Sequence, residues 1–182
     1  WVNDRMVAQV TAPVPFPVIG YPAAWSDGTD GPIKAEVVMV PNTVRTAADF
    51  APYRGTLDGE IVVSQPGREL NALFTAPAQR LTQQQLNARA NPYPVGGGRG
   101  GRGGRGGRGG GGAAAAGGSP LVNLTQCFID EGVAALLRPG GGNSNGGNVF
   151  VSGGGSRNAD APRATPLVSL TPEHYGRIVR IL

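Results

Sequence analysis

The last third of the chain limits the possible folds more than any other stretch, because its apolar pattern alternates cleanly between helix and strand. Ser119 is a good helix N-cap and Pro120 suits the first helical turn. Leu121, Leu124 and Phe128 recur at helical spacing, and Gly132 follows where a C-cap glycine belongs. Val133-Ala134-Ala135-Leu136-Leu137 is then a short continuous apolar run. That is the pattern of a strand buried on both faces, expected at the centre of a sheet. Residues 148–152 predict a second strand, and residues 167–170 a third, entered through Pro166. Thr171-Pro172-Glu173 opens a closing helix with Tyr175, Ile178, Val179 and Leu182 on one face. The fold class expected is α/β of mixed α+β character, a core with no obvious chemistry in it.

Upstream, residues 1–34 are rich in Pro and turns. Ala12-Pro13-Val14-Pro15-Phe16-Pro17 is extended, since each Pro biases its predecessor away from helix. Asp27-Gly28-Thr29-Asp30-Gly31-Pro32 is a turn cluster. A strand is expected over 35–40, a turn or one-turn helix over 49–55, and another core strand over 60–64. Thr82-Gln83-Gln84-Gln85 has the capping-box pattern and predicts a helix through Arg89, ended by Asn91-Pro92-Tyr93-Pro94. At 182 residues the chain suits a single domain with a sizeable core.

One tract stands apart. Residues 91–118 form a low-complexity Gly/Arg/Ala insertion with arginines at 99, 102, 105 and 108 separated by glycine. The chain has 16 Lys and Arg against 12 Asp and Glu. Without those four arginines the remaining twelve balance the acids, so the basic character belongs to the tract and the rest offers no basic face to nucleic acid. Gly-Arg repeats resemble the flexible arms of RNA-binding proteins, but those interleave Phe or Tyr and this one has no aromatic residue between Gly96 and Gly118. A disordered surface insertion is the expectation, with nucleic acid not expected as a partner.

The search for catalytic groups finds little. The lone His174 lies in the first turn of the closing helix and is expected to be a structural or solvent-facing residue. No His-Glu-x-x-His, His-x-Asp or Cys-x-x-Cys spacing exists, and no Ser sits in a nucleophile elbow. Asp58 with Glu60, and Asp130 with Glu131, read as solvated surface. Cys127 is the only cysteine, which excludes a disulfide framework without assigning a redox compartment. Asn123-Leu124-Thr125 matches a glycosylation acceptor on an expected helix face, a chance match. No catalytic and no metal-ligating residue is therefore assigned, and no cofactor. The one binding candidate is the loop Gly153-Gly154-Gly155-Ser156-Arg157, whose backbone N–H groups at Gly154 and Ser156, beside Arg157, would face an anion if the loop is not merely mobile. No apolar run is long enough to span a bilayer, so no membrane is expected. No signal peptide is visible, and the chain begins at Trp1 and stops at Leu182 inside an amphipathic pattern, so it is expected to be a piece of a longer protein.

These pieces occur in a familiar order. Leu57-Asp58-Gly59-Glu60-Ile61-Val62-Val63 resembles the G-K-I-V-L-V strand of protease-associated (PA) domains. The stretch from Phe128 through Gly132 to Leu137 resembles their A-x-x-A-G-A-x-A-V-I helix-to-strand step. Thr165-Pro166-Leu167-Val168-Ser169-Leu170-Thr171, with Tyr175-Gly176, resembles their closing I-P-x-V-x-I-S…G element. Tyr21-Pro22-Ala23-Ala24-Trp25-Ser26-Asp27-Gly28-Thr29 and Ala48-Asp49-Phe50-Ala51-Pro52-Tyr53-Arg54-Gly55 are similar to the PA insert of bacterial secreted zinc exopeptidases of the aminopeptidase and glutamate-carboxypeptidase family. Two features depart from the pattern: Glu60 stands where the strand usually has Lys, and the Arg-Gly tract is foreign to it.

The resemblance implies a single PA-like domain over 1–182, an open β-barrel or sheet flanked by helices. It implies a non-catalytic module of a zinc metallopeptidase, an exopeptidase hydrolase trimming amino or carboxyl termini. Such a module covers the active-site cleft or helps select substrates. Zinc would lie in a catalytic domain of the same polypeptide, outside this chain; the other partner would be a peptide or protein substrate, and the location secreted or periplasmic. The alternatives are an RNA-binding protein acting through the tract and a stand-alone peptide or protein interaction module.

Overall fold

The computed structural model describes residues 2–70, 74, 80–90, 123–141, 147–158, 160–161 and 163–182. The chain divides into two units, Trp1–Leu70 with Gly118–Leu182, and Asn71–Gly117. In the second unit the expected capping box forms. Thr82 Oγ1 accepts from the Gln85 N–H at 3.3 Å, and Gln85 Oε1 accepts from the Thr82 N–H at 2.9 Å. The helix it starts runs over Gln83–Ala90 (α2) with no buried residue. The tract over 91–118 lies outside the described residues.

The first unit is mixed α+β. Strands β1 (Gln9–Val10) and β2 (Phe16–Pro17) form an antiparallel pair. A five-stranded sheet follows, built from β3 (Gly20–Pro22), β4 (Val37–Met39), β5 (Ile61–Val63), β6 (Ala135–Pro139) and β7 (Leu167–Leu170). Its order is β3-β7-β6-β5-β4: the four later strands run parallel and β3 lies antiparallel on β7. β6 is therefore central, as its apolar run predicts.

The local chemistry explains the elements between. Thr46 and Asp49 form a reciprocal capping box that opens α1 (Ala47–Phe50), which tightens into a 3₁₀ turn over Ala51–Tyr53. Backbone N–H groups of Arg45 and Thr46 bond the Asp49 carboxylate and hold its pKa below the ordinary range. Helix α3 (Leu124–Asp130) starts from Asn123, whose side chain accepts from the Gln126 N–H; Ser119, Pro120 and Leu121 lie outside the described residues. Gly132, at φ +73°, closes α3 in the left-handed conformation. A Cβ there would collide with the Asp58 carboxylate.

That closure also moves the central strand. The Val133 N–H donates back to Phe128 O (3.1 Å) and Val133 is buried, the hydrophobic contact that follows such a cap. The ladder consequently begins at Ala135 and extends to Pro139, two residues later than the apolar run suggests. The strand expected over 148–152 does not form. Both edges of β6 are taken by β5 and β7, and the outer edge of β7 by β3, so Phe150 and Val151 stay exposed. β3 occupies that edge by close approach: a Cβ on Gly20 would meet Leu170 Cδ2 at 2.6 Å and Ser169 O at 2.8 Å.

Helix α4 (Pro172–Ile181) forms as its sequence predicts, with Thr171 as N-cap and Pro172 in the first turn. Tyr175 and Ile178 are buried, Val179 packs against them, and Leu182 lies exposed beyond the helix face. Strand alternation divides the core. Leu136 faces a first cluster centred on Phe50, Leu57, Val62 and Phe128, under α1 and α3. Leu137 faces a second cluster of Phe16, Val63, Leu170, Tyr175 and Ile178, under α4. Each large apolar side chain so buried contributes about 1.5–3 kcal/mol.

Candidate functional site

On the face that carries the first cluster, α1 and α3 cover β4, β5 and β6. Over β6 and β7 the cover is instead the segment 150–157, which contains the glycine run. This run is pinned. The N–H groups of Gly154 (2.8 Å) and Gly155 (3.4 Å) both donate to Ala24 O, and Gly153 forms a parallel bridge with Ala24. A Cβ on Gly154 would meet Ala23 Cβ at 2.7 Å and Leu167 Cδ2 at 2.9 Å, and one on Gly155 would overlap the Trp25 carbonyl. The glycines are there because two backbones meet.

The residues expected to face an anion, Gly154, Ser156 and Arg157, each have a partner within the fold. The three residues do share one segment, but the Gly154 and Gly155 N–H groups are committed to Ala24, and Ser156 Oγ accepts from the Asn158 N–H at 3.1 Å. Arg157 places its guanidinium 4.4 Å from the Trp25 ring centroid, a cation–π contact. Trp25 itself sits at φ +61°, a left-handed conformation that costs a bulky residue roughly 1–3 kcal/mol. It is held there by a turn in which the Ser26 N–H and Oγ–H both donate to Ala23 O, at 3.2 and 2.8 Å.

The residue that sequence reasoning missed is Arg138, on β6. Its Nε donates to Ser169 Oγ at 2.9 Å, Nη2 to Ser152 O at 2.8 Å and Nη1 to Gly153 O at 3.4 Å. The side chain is half-buried, and desolvation pushes its pKa below the usual guanidinium value. All twelve Asp and Glu are among the described residues, where the one ion pair is Arg163 Nε with Asp27 Oδ2 at 2.6 Å. Arg138 therefore has no carboxylate partner. A charged residue directly after a central apolar run was the available signal.

The other candidate groups have local partners. His174 Nδ1 accepts from the Ile19 N–H at 2.9 Å and its ring lies 5.8 Å from Phe16, so it serves structure. Two carboxylates are less solvated than expected. Glu131 accepts from the Gly55 N–H at 2.5 Å, and Glu60 is half-buried with Oε2 lacking any hydrogen-bond partner. Asp130 is exposed and accepts from Gln126 Nε2, while the Cys127 thiol is free and packs against the first cluster. Among the described residues no three His, Cys, Asp or Glu converge as a metal site. A shallow cleft of about 260 Å³ at the amino ends of β6 and β7 is lined by the Asp27–Arg163 pair, Asp30, Ile129 and Thr165. Its charges are largely matched across an exposed pair worth little. No described helix is long and apolar enough to cross a membrane.

The chain matches no family model, and no curated protein or solved structure is significantly similar to it.

Proposed function

We propose that the chain is a PA-type accessory domain of a zinc exopeptidase, covering the cleft of a catalytic domain or helping to select its peptide substrates. The observation that carries this reading is the arrangement of the three PA-like stretches. They come from distant parts of the sequence, yet they supply β5, the α3-to-β6 step, and β7 with α4, which are successive parallel strands and their helices in one sheet. The two further stretches that resemble the exopeptidase insert supply β3 with the Trp25 turn, and α1 with its 3₁₀ turn. A rigid sheet whose crossing segments are locked by glycine contacts suits a module that positions a substrate rather than transforms it. Zinc, the hydrolytic groups and a secreted or periplasmic location belong to the same proposal and would lie with the rest of the polypeptide.

The test begins with the coding sequence around this segment, which should encode a His-x-Asp motif followed by paired Glu residues. Deleting the segment from that polypeptide should raise KM for long peptides while hydrolysis of a small aminoacyl reporter persists. Zinc-dependent hydrolysis of such reporters by the purified 182-residue chain, or flanking sequence without those motifs, would sink the reading.

A further inference from the structure

A half-buried guanidinium without a counter-charge is uncommon, because burying a charge is costly unless it is paired or fully hydrogen-bonded. Among the described residues Arg138 meets neutral oxygens: the Ser169 hydroxyl and the carbonyls of Ser152 and Gly153. These engage three of the five N–H donors of the guanidinium, and no described residue takes the other two. They also fix the plane of the fork, so little freedom is lost when a ligand takes the remaining donors. No carboxylate of the chain lies within ion-pair distance of Arg138; Glu173, in the first turn of α4, accepts instead from the Gly147 N–H at 3.2 Å.

The surroundings point the same way. Arg138 sits at the carboxyl end of β6, in register with Ser169 on β7, which is in register with Tyr21 on β3. Segment 150–157 covers β6 and β7 on the face of Arg138 and Ser169, and α4, which follows β7, packs on the face of the second cluster. The carboxyl ends of parallel strands are the place where open α/β sheets bind ligands. Arg157, which also lacks a carboxylate partner, adds a second positive charge on the segment that Arg138 holds.

We propose that Arg138 anchors an oxyanion-binding site at the carboxyl end of β6, for a group that presents two acceptor oxygens, as a carboxylate or a phosphate does. The site is independent of the peptidase reading and is tested on the 182-residue chain itself. The Nε–H resonance of Arg138 is followed in ¹⁵N-labelled protein during titration with sodium phosphate, sodium acetate or sodium chloride at matched ionic strength. The expected result is a saturable shift with phosphate, acetate or both, and only a small linear drift with chloride. A response to phosphate alone assigns a tetrahedral ligand, and a response to acetate alone assigns a carboxylate. Arg138→Lys, followed through the backbone amide shifts of Ser152 and Gly153, should weaken binding about tenfold or more, the value of one charge-assisted hydrogen bond. Arg177→Gln removes a cation stacked 4.0 Å from the Phe16 ring in the second cluster and should leave the response unchanged. Because the signal belongs to Arg138 itself, the wild-type titration decides even if the lysine variant does not fold. A response that never saturates, that equals the chloride drift, or that falls equally in Arg177→Gln would overturn the proposal.

Discussion

Leu136 and Leu137 are consecutive residues of β6, yet they belong to cores closed by different chemistry. Leu136 faces a cluster of apolar side chains in which Phe50 and Phe128 lie 6.3 Å apart, ring to ring. Leu137 faces a cluster built on Tyr175, which is fully buried but keeps a polar handle. Its hydroxyl donates to Gln65 O at 2.7 Å and accepts from the Gln65 N–H at 3.1 Å. The first core thus answers only to volume and to inserted charge. The second answers to pH as well, and it ties the end of β5 to α4 through one oxygen.

The largest effect should come from Leu136→Asp. It sets an unpaired carboxylate against the first cluster from the central strand, at a cost of several kcal/mol against a total stability of roughly 5–15 kcal/mol for such a domain. Insoluble or unfolded protein is expected, and Leu137→Asp should do the same from the other face. A soluble Leu136→Asp variant with a cooperative melt would show that the face under α1 and α3 is open, and the contrast between the cores would fail.

A smaller, sharper effect is expected from Tyr175→Phe. Burial raises the Tyr175 pKa above its ordinary value near 10, against the opposing pull of the Gln65 and Ser64 backbone. The folded state therefore keeps its proton longer than the unfolded chain does. The stabilisation this reflects is fully present below about pH 10 and is lost as pH rises through the raised folded value. The phenylalanine variant should lose about 1–2 kcal/mol at neutral pH, mainly from the unsatisfied Gln65 groups. It should also show a flatter alkaline limb in urea midpoints measured from pH 7 to 11. Phe128→Leu, in the other core, should lower the curve without changing its shape. Identical alkaline limbs for wild type and Tyr175→Phe would remove the polar core from the comparison.

What the sequence revealed and what it hid follow from the range of the interactions. α4 and β7 were legible because Thr171, Pro172 and the spacing of Tyr175 and Ile178 act within a few residues. The start of β6 was displaced because Val133 is engaged in the cap at Gly132, a local conflict that an apolar run alone does not resolve. β3 was hidden, since Gly20 and Pro22 read as turn residues and only contact with Leu170 explains the glycine. The absent strand over 148–152 has the same cause in reverse: its own pattern was adequate, but distant segments had filled both edges of β6 and the outer edge of β7. In the candidate site, the loop containing Gly154, Ser156 and Arg157 was legible from its glycines. The groups left to bind were not, because Arg138 meets its oxygens 14 to 31 residues away.

The smallest predicted effect tests the rim of the apolar core. Glu60 precedes β5, and among the described residues its buried Oε2 has no hydrogen-bond partner. An acceptor shielded from water with no donor costs free energy, and more so when it carries charge. Glu60→Gln keeps the shape, removes the charge and adds two donors that can reach solvent or a nearby carbonyl. The variant should be neutral or stabilised by up to about 1 kcal/mol, which for a chain of this length raises Tm by roughly 2–4 °C. Thermal melts at pH 7 decide the matter. A clear fall in Tm would mean that the carboxylate has a favourable partner, and the face under α1 and α3 would then be closed by charge as well as by apolar volume.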